Sequence, residues 1–351
     1  MSYTIAGIQQ IGIGIPRVQE AFAWYNRNLG MDIPIFEEAA EANLMLPYTG
    51  GSPHQRHAIL AINLAGGGGF EIWQYTSRVP QPAAFSLELG DFGIFCTRMK
   101  SRDVKASYEY LKSQKASLLT PLVKDPGGAD TFYLQDPYGN IFQVVKGTDW
   151  FGEGKQLTGG PAGCLIGVSN MEKSMRFYKE ILGYDTVVYD QTAVFSDMKG
   201  IPGADKKARR VLLKHSKPRQ GAFSRLLGSS EIELVQVIDK EPRHIFKDRF
   251  WGDLGFIHLC YDINNMKALE EKCKAAGHPF TVDSSNSFDM GEAAGHFSYV
   301  EDPDGTLIEF VETHKIPVLK KIGWYLHLQK RDASKPLPDW MLKALRFNRV
   351  K

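Results

Sequence analysis

The chain has 351 residues, 43% hydrophobic and 23% charged, the composition of a soluble globular protein with room for two or more domains. No run of 18 apolar residues exists, which excludes a helical membrane span. The net charge of +2 is uneven: residues 315–351 hold 10 Lys/Arg and two Asp, a net of +8, leaving −6 for the rest.

The opening, MSYTIAGIQQIGIGI, lacks a basic segment before an apolar core, so no secretion is predicted. Ile11, Ile13 and Ile15 alternate with Gln10, Gly12 and Gly14, which predicts a half-buried strand. Val18, Ala21, Phe22, Tyr25 and Leu29 then follow helical spacing, with Gly30 at the C-cap. Strands follow near 57–64 and 69–76. A second unit opens with GDFG (90–93) and closes with YLQDPYGNIFQVV (133–145). A third repeats the first at a shift of 153, placing Met171, Ser174, Met175, Tyr178, Leu182 and Gly183 on the same pattern. Its first strand is GCLIGV and its last SEIELVQV, which contains Glu233. The fourth repeats the second at a shift of 162, from GDLG (252–255) to YVEDPDGTLIEFV (299–311). His258 lies in its first strand and Glu309 in its last, and DPDG (302–305) is turn chemistry between two strands.

Linkers are expected at 76–85, 147–161 and 239–244, where composition loosens. The loop near 198–229, with Lys206, Lys207, Arg209, Arg210, Lys214, Lys217, Arg219 and Arg225, reads as solvated, or else as a cap that attracts an acidic substrate. The tail mixes its basic residues with Trp324, Tyr325, Leu326, Trp340, Leu342, Leu345 and Phe347. It therefore reads as an extension packed on the body with its basic side in water, not as a nucleic-acid or membrane contact. Cys96, Cys164, Cys260 and Cys273 form no CxxC pair, which suits reduced thiols in a cytoplasmic protein. The expected organisation is a pair of units in 1–150, a second pair in 151–314 and the extension 315–351. The expected fold class is α+β, with curved, mainly antiparallel sheets and helices on the outer face.

WYNRNLGM (24–31), FYKEILGY (177–184) and YVEDPDGTLIEF (299–310) resemble the vicinal oxygen chelate superfamily. That superfamily includes glyoxalase I, methylmalonyl-CoA epimerase, extradiol dioxygenases and bleomycin-resistance proteins. The resemblance covers about residues 4–314 and implies four tandem βαβββ units, two such units cupping a divalent metal held from their first and last strands. The implied positions are Gln10 and Glu71, Cys96 and Gln143, Gly163 and Glu233, and His258 and Glu309. Alternation along the strands agrees: Phe70 and Ile72 point away from Glu71, Ile308 and Phe310 away from Glu309, and Ile257, Leu259 and Tyr261 away from His258.

Pairing decides the site. If neighbouring units pair, one half holds Glu233, His258 and Glu309 beside Gly163, and the other holds Gln10, Glu71, Cys96 and Gln143. If the outer units pair, Gln10, Glu71, His258 and Glu309 share one cup, a set similar to that of glyoxalase I, and the other cup is left without a regular set. The outer pairing needs only one lost site. The resemblance then implies one divalent ion (Zn, Ni, Fe, Mn or Co) and a lyase or isomerase acting on a small oxygen-chelating substrate through a metal-stabilised enediolate or enolate. Glu309 or Glu71 would move the proton, and Gly12 and Gly14 would leave the substrate space. The arginines that grip glutathione in glyoxalase I have no counterpart, since Gly14 and Leu254 stand there. An extradiol dioxygenase is the alternative: Tyr299, ten residues before Glu309, matches its iron-site tyrosine, although Ser298, His296 and Gly163 depart from the pattern. A metal-free binding or resistance protein is the third reading. Four units can pair internally, so a monomer or a homodimer is expected.

Overall fold

A computed structural model describes residues 2–152, 156–285, 288–290, 293–319 and 324–350. Residues 153–155, within the expected linker at 147–161, lie outside the described residues, as does the side chain of Trp324.

The first unit runs β1 (Thr4–Gly14), α1 (Val18–Leu29), β2 (Ile33–Glu41), β3 (Gln55–Ile62) and β4 (Gly69–Tyr75). The second runs β5 (Gly93–Ser101), α2 (Val104–Ser113), the short β6 (Ser117–Leu118) and β7 (Val123–Lys124), β8 (Asp130–Gln135) and β9 (Ile141–Lys146). The third has β10 (Thr158–Gly167), α3 (Met171–Glu180), β11 (Thr186–Ala193), β12 (Ala208–Lys214), a short α4 (Ser224–Leu227) and β13 (Glu231–Val237). The fourth has β14 (Gly255–Asn264), α5 (Met266–Ala275), β15 (Val282–Asp283), β16 (Phe288–Met290), β17 (Ala293–Glu301) and β18 (Leu307–Thr313). β19 (Lys315–Leu319), β20 (Trp324–His327) and α6 (Asp339–Lys343) complete the chain.

Local chemistry sets these boundaries. Asp103, Asn170 and Asn265 each cap their helix by accepting from the backbone N–H three residues on. Gly30, at φ 69°, closes α1 in the left-handed conformation that a side chain resists.

The strands form two nine-stranded sheets. In the first, β1 pairs antiparallel with β14, joining units one and four; in the second, β10 pairs antiparallel with β5, joining units three and two. The outer pairing therefore holds, and each sheet unites sequence-distant units. Within units the first and last strands run parallel, as β1 with β4 and β14 with β18, and the remaining pairs are antiparallel. One apolar core fills the helix side of both sheets, taking Ile11, Phe70, Leu259 and Phe310 from one and Phe142, Ile166, Leu234 and Phe132 from the other. Smaller clusters occupy the two concave faces.

Sequence-adjacent units are tied differently. The Tyr25 hydroxyl donates to Asp136 Oδ2 (2.6 Å), and Tyr178 donates to Asp302 Oδ2 (3.0 Å). Each aspartate opens a DP turn and also accepts turn N–H groups, those of Tyr138 and Asn140 for Asp136, and of Asp304 and Thr306 for Asp302. The repeated aromatic of the helix and the repeated aspartate of the turn are thus two ends of one contact.

The extension meets the body through Leu328, Leu337 and Leu342, all buried beside Leu64 and Phe151. Trp340 and Phe347, expected to pack, are instead 66% and 79% exposed. No helix among the described residues is long and apolar enough to cross a membrane.

Tyr178→Phe leaves a buried carboxyl short of a donor and is expected to lower unfolding stability by ~1–3 kcal/mol, read from the urea midpoint at constant m. Burial raises Asp302 from 3.8 to about 6. The folded state therefore keeps a proton that the unfolded state releases, so this contribution is complete below the unfolded pKa and is lost as pH rises through about 6. Relative to Asp302→Asn, the native protein should lose roughly 2 kcal/mol between pH 4 and 6 in parallel denaturation series.

Candidate metal centre

Four strands deliver four polar side chains to the concave face of the first sheet: Gln10 from β1, Glu71 from β4, His258 from β14 and Glu309 from β18. All are buried. Glu71 and Glu309 get there by simple alternation, since Phe70, Ile72, Ile308 and Phe310 enter the main core on the opposite face.

His258 does not. Gly12 pairs with His258 but Ile13 pairs with Phe256, so Ile257 is an extra residue in a bulge. Ile257 consequently packs on the concave side with Trp73, Trp251 and Tyr299, not with Leu259 and Tyr261 as strict alternation requires. The bulge aims the imidazole over Gly12, where a Cβ would fall 2.5 Å from its Cε1. Gly12 thus makes room for the His258 imidazole and not for substrate. At Gly14 a Cβ would fall 1.9 Å from the Asp253 carbonyl oxygen, so that position also has no spare space.

His258 Nε2 lies 3.1 Å from Glu309 Oε2 and 3.5 Å from Glu71 Oε2. Gln10 Nε2 reaches the same two oxygens at 3.3 and 3.5 Å. Yet His258 Nε2 is buried without a properly directed hydrogen bond. One ligand atom each from Glu71, His258 and Glu309 lies within 4.8 Å of the others. Burial raises Glu71 to about 7; the His258 charge opposes this and Glu309 adds to it. Burial also works against the charged forms of Glu309 and His258, but their mutual attraction prevails, lowering the first and raising the second. An unsatisfied imidazole nitrogen between two crowded carboxylates is a donor set that fits a cation.

Tyr299 lies opposite Glu309 in the β17–β18 pairing, and its hydroxyl is 3.5 Å from His258 Nδ1. Burial, then the Glu309 charge, lift its pKa far above the ordinary phenol value. Its place is therefore against the imidazole, as a neutral hydroxyl.

The model of the Glyoxalase/Bleomycin resistance protein/Dioxygenase superfamily matches residues 7–144 and 161–310. The chain belongs to this superfamily. Glyoxalase I from Zea mays matches it in structure at 13% identity and a TM-score of 0.54, covering 99% of this chain and 96% of the maize chain. A presumptive dioxygenase from Bacillus subtilis matches at 11% identity and a TM-score of 0.58, covering 100% and 98%. At such identity these likenesses speak for the fold. No curated protein matches the chain in sequence.

This superfamily member carries a second cup, and there the expected positions meet two arginines. Glu233 accepts from Arg98 Nη1 (2.8 Å), Arg210 Nε (2.6 Å) and the Tyr189 hydroxyl (2.9 Å). Arg98 Nη1 also donates to Gln143 (2.8 Å), and Arg210 Nη1 to both oxygens of Asp197 (2.8 and 2.9 Å). Cys96 is buried nearby, its thiol pushed up chiefly by burial. A Cβ at Gly163 would sit 1.9 Å from the Glu231 carbonyl oxygen and 3.5 Å from Arg98 Cδ. Glu233 is thus remote from the first cup, its charge held by two guanidiniums despite full burial. The stretch around Arg210 is no solvated loop: Ala208–Lys214 is strand β12, Arg210 is fully buried, and Met198, Ile201 and Ala204 cover this cup. Arg98 had a usable signal, standing two residues after Cys96 and hence on the same strand face.

Sequence reasoning also missed Trp73 and Trp251. Trp73 follows Glu71 by two and shares its face. Trp251 comes from the connection before β14, where no periodicity points to it.

Glu233→Gln should cost ~3–5 kcal/mol, because two buried guanidiniums lose their shared carboxylate. Chemical denaturation would show this, and any bound metal should be retained.

Proposed function

We propose that this protein is a metal-dependent enzyme of lyase or isomerase type, acting on a small oxygen-chelating substrate in the first cup. The observation that carries the reading is the buried, unsatisfied His258 Nε2 set between Glu71 and Glu309 beside the Gln10 amide. Gln10, Glu71, His258 and Glu309 would hold one divalent ion of the zinc, nickel, iron, manganese or cobalt class. Bound there, it would supply Lewis-acid stabilisation of negative charge developing on substrate oxygen.

The protein's own groups supply the rest. Glu71, the more loosely paired of the two carboxylates at 3.5 Å from His258 against 3.1 Å for Glu309, is the better placed to leave the ion and move a proton. Glu309, held ionised by His258, is the better fixed ligand. Tyr299 steadies the imidazole ring. The walls of Trp73, Trp251 and Ile257 exclude water. A dioxygenase of the two-histidine, one-carboxylate kind gains no support, because this donor set contains one histidine. A cytoplasmic location and a small-molecule partner, with no nucleic acid or membrane, belong to the same proposal.

Plasma mass spectrometry of the full chain is expected to find about one divalent ion per molecule, lost in His258→Ala/Glu309→Ala and kept in Glu233→Ala. Gln10→Ala should weaken retention without abolishing it. Absence of metal after reloading with each candidate ion would leave only a metal-free binding protein.

A further inference from the structure

The four-residue centre is covered, and its cover is aromatic. The Trp251 ring lies parallel to the His258 imidazole, with 6.0 Å between centroids and 7° between planes. It meets Trp73 edge-on at 4.3 Å and Tyr299 at 6.3 Å. Next to Trp251 is a cavity of about 310 Å³, bounded by the loop at 47–50, the connection at 244–251 and the turn at 304–307. Trp251 and Ile257 line this cavity, and none of Gln10, Glu71, His258 and Glu309 does. These two side chains are therefore the wall between the cavity and the centre.

The cavity has a definite chemistry. Tyr48, Phe92, Phe246, Phe250, Phe256 and Leu307 give it a largely aromatic lining, to which His244, Arg249 and Asp304, whose Oδ2 accepts from the Ser169 N–H (2.9 Å), add polar groups. A volume near 300 Å³ lies at the lower end of the range for small-molecule sites. One lining cation lacks a carboxylate. Arg249 donates to the backbone carbonyls of Gln81 (3.1 Å), Leu254 (2.7 Å) and Ile245, stacks on Phe246, and has no ion pair among the described residues. Its Nε is buried without a partner. Burial pulls its pKa below the usual guanidinium value, against the pull of Asp253. A guanidinium on this wall that has no carboxylate partner among the described residues favours an anion. The indole N–H groups of Trp73 and Trp251 are likewise buried and unpartnered.

The cover is fastened by its backbone. Trp251 N–H donates to the Tyr48 carbonyl (2.9 Å), and the Tyr75 hydroxyl donates to the Trp251 carbonyl. Asp253 pairs with Arg78 and accepts from the Gln81 and Phe250 N–H groups, both at 2.8 Å. Among the described residues no hydrogen bond holds the indole itself, so its position is set by packing on Trp73, His258 and Tyr299 and not by a polar tether. We infer that this cavity binds the substrate, that it takes the ring-sized apolar body of an organic carboxylate with its acid group on Arg249, and that the Trp251 side chain is the gate to the centre. The inference rests on the proposed function for what happens behind the gate. The cavity itself is testable without metal.

The experiment has two arms on the full chain. Metal-free protein is titrated with benzoate, followed by NMR of the indole N–H signals. Benzoate should shift the Trp251 signal, and Arg249→Met should weaken binding at least ~10-fold, as expected for a lost charge-assisted pair. Cobalt-loaded protein is then stripped with dipicolinate. Trp251→Ala should speed release ~10-fold or more, whereas Trp251→Phe, which keeps a ring over His258, should release at the native rate. No benzoate shift, or equal binding by Arg249→Met, overturns the chamber. Equal stripping of Trp251→Ala and native protein overturns the gate. If no form holds cobalt, the metal reading fails and the benzoate arm still decides the chamber.

Discussion

The antiparallel seam between β1 and β14 is the constraint on which the rest depends. It brings the first strand of the first unit against the first strand of the last, so that Gly12 lies opposite His258. Only across this seam do Gln10 and Glu71 face His258 and Glu309. The bulge at Ile257 belongs to the same seam, because the extra residue has meaning only relative to β1. Nothing local in either unit could assemble the centre. The Tyr–Asp contacts that tie neighbouring units lie at helices and turns and do not bear on it directly.

The two cups show two answers to one electrostatic problem. A carboxylate on the last strand of a unit, pointing into a concave sheet, is a buried charge that needs compensation. In the second cup the chain supplies the compensation as ion pairs: Arg98 and Arg210 converge on Glu233, with Asp197 balancing the second guanidinium. In the first cup it is incomplete. Two carboxylates and one imidazole share one proton's worth of freedom, Glu71 being pushed up and Glu309 held down. In the second cup the carboxylate charge is balanced from within the chain. In the first, the crowded carboxylates would be relieved by a cation.

Much of this was legible in the residues. The shifts of 153 and 162 between units exposed the fourfold repeat. Alternation around Glu71 and Glu309 set their faces correctly, because both strands are regular there. It misjudged Ile257 because a bulge inserts one residue without leaving a compositional mark, and it misjudged Gly12 because the glycine serves a neighbouring strand distant in sequence. The pairing of units stayed open at the level of residues, since either arrangement uses the same strands. Arg210 looked like one cation in a basic loop; its burial follows from Glu233 and Asp197, which tertiary structure alone brings to it. Trp251 stands in a connection, where no periodicity reports direction. Trp340 and Phe347 were read as packing residues from their apolarity, whereas the extension is anchored by leucines.

The nesting of the sheets has a consequence for how the molecule is made. The inner sheet, from β5 to β13, has all of its strands once the chain has grown to Val237. The outer sheet does not: β1 is made before the inner sheet, and its antiparallel partner β14 is still unsynthesised when the inner sheet is complete. During that interval one edge of β1, with the Gln10 and Glu71 half of the centre beside it, is open to pairing with any other extended chain. Closure joins residues about 250 positions apart, such as Gly12 and His258, the kind of contact whose formation slows folding most. The exposed interval thus runs from the completion of β13 to the arrival of β14, and the edge left open in it is that of β1.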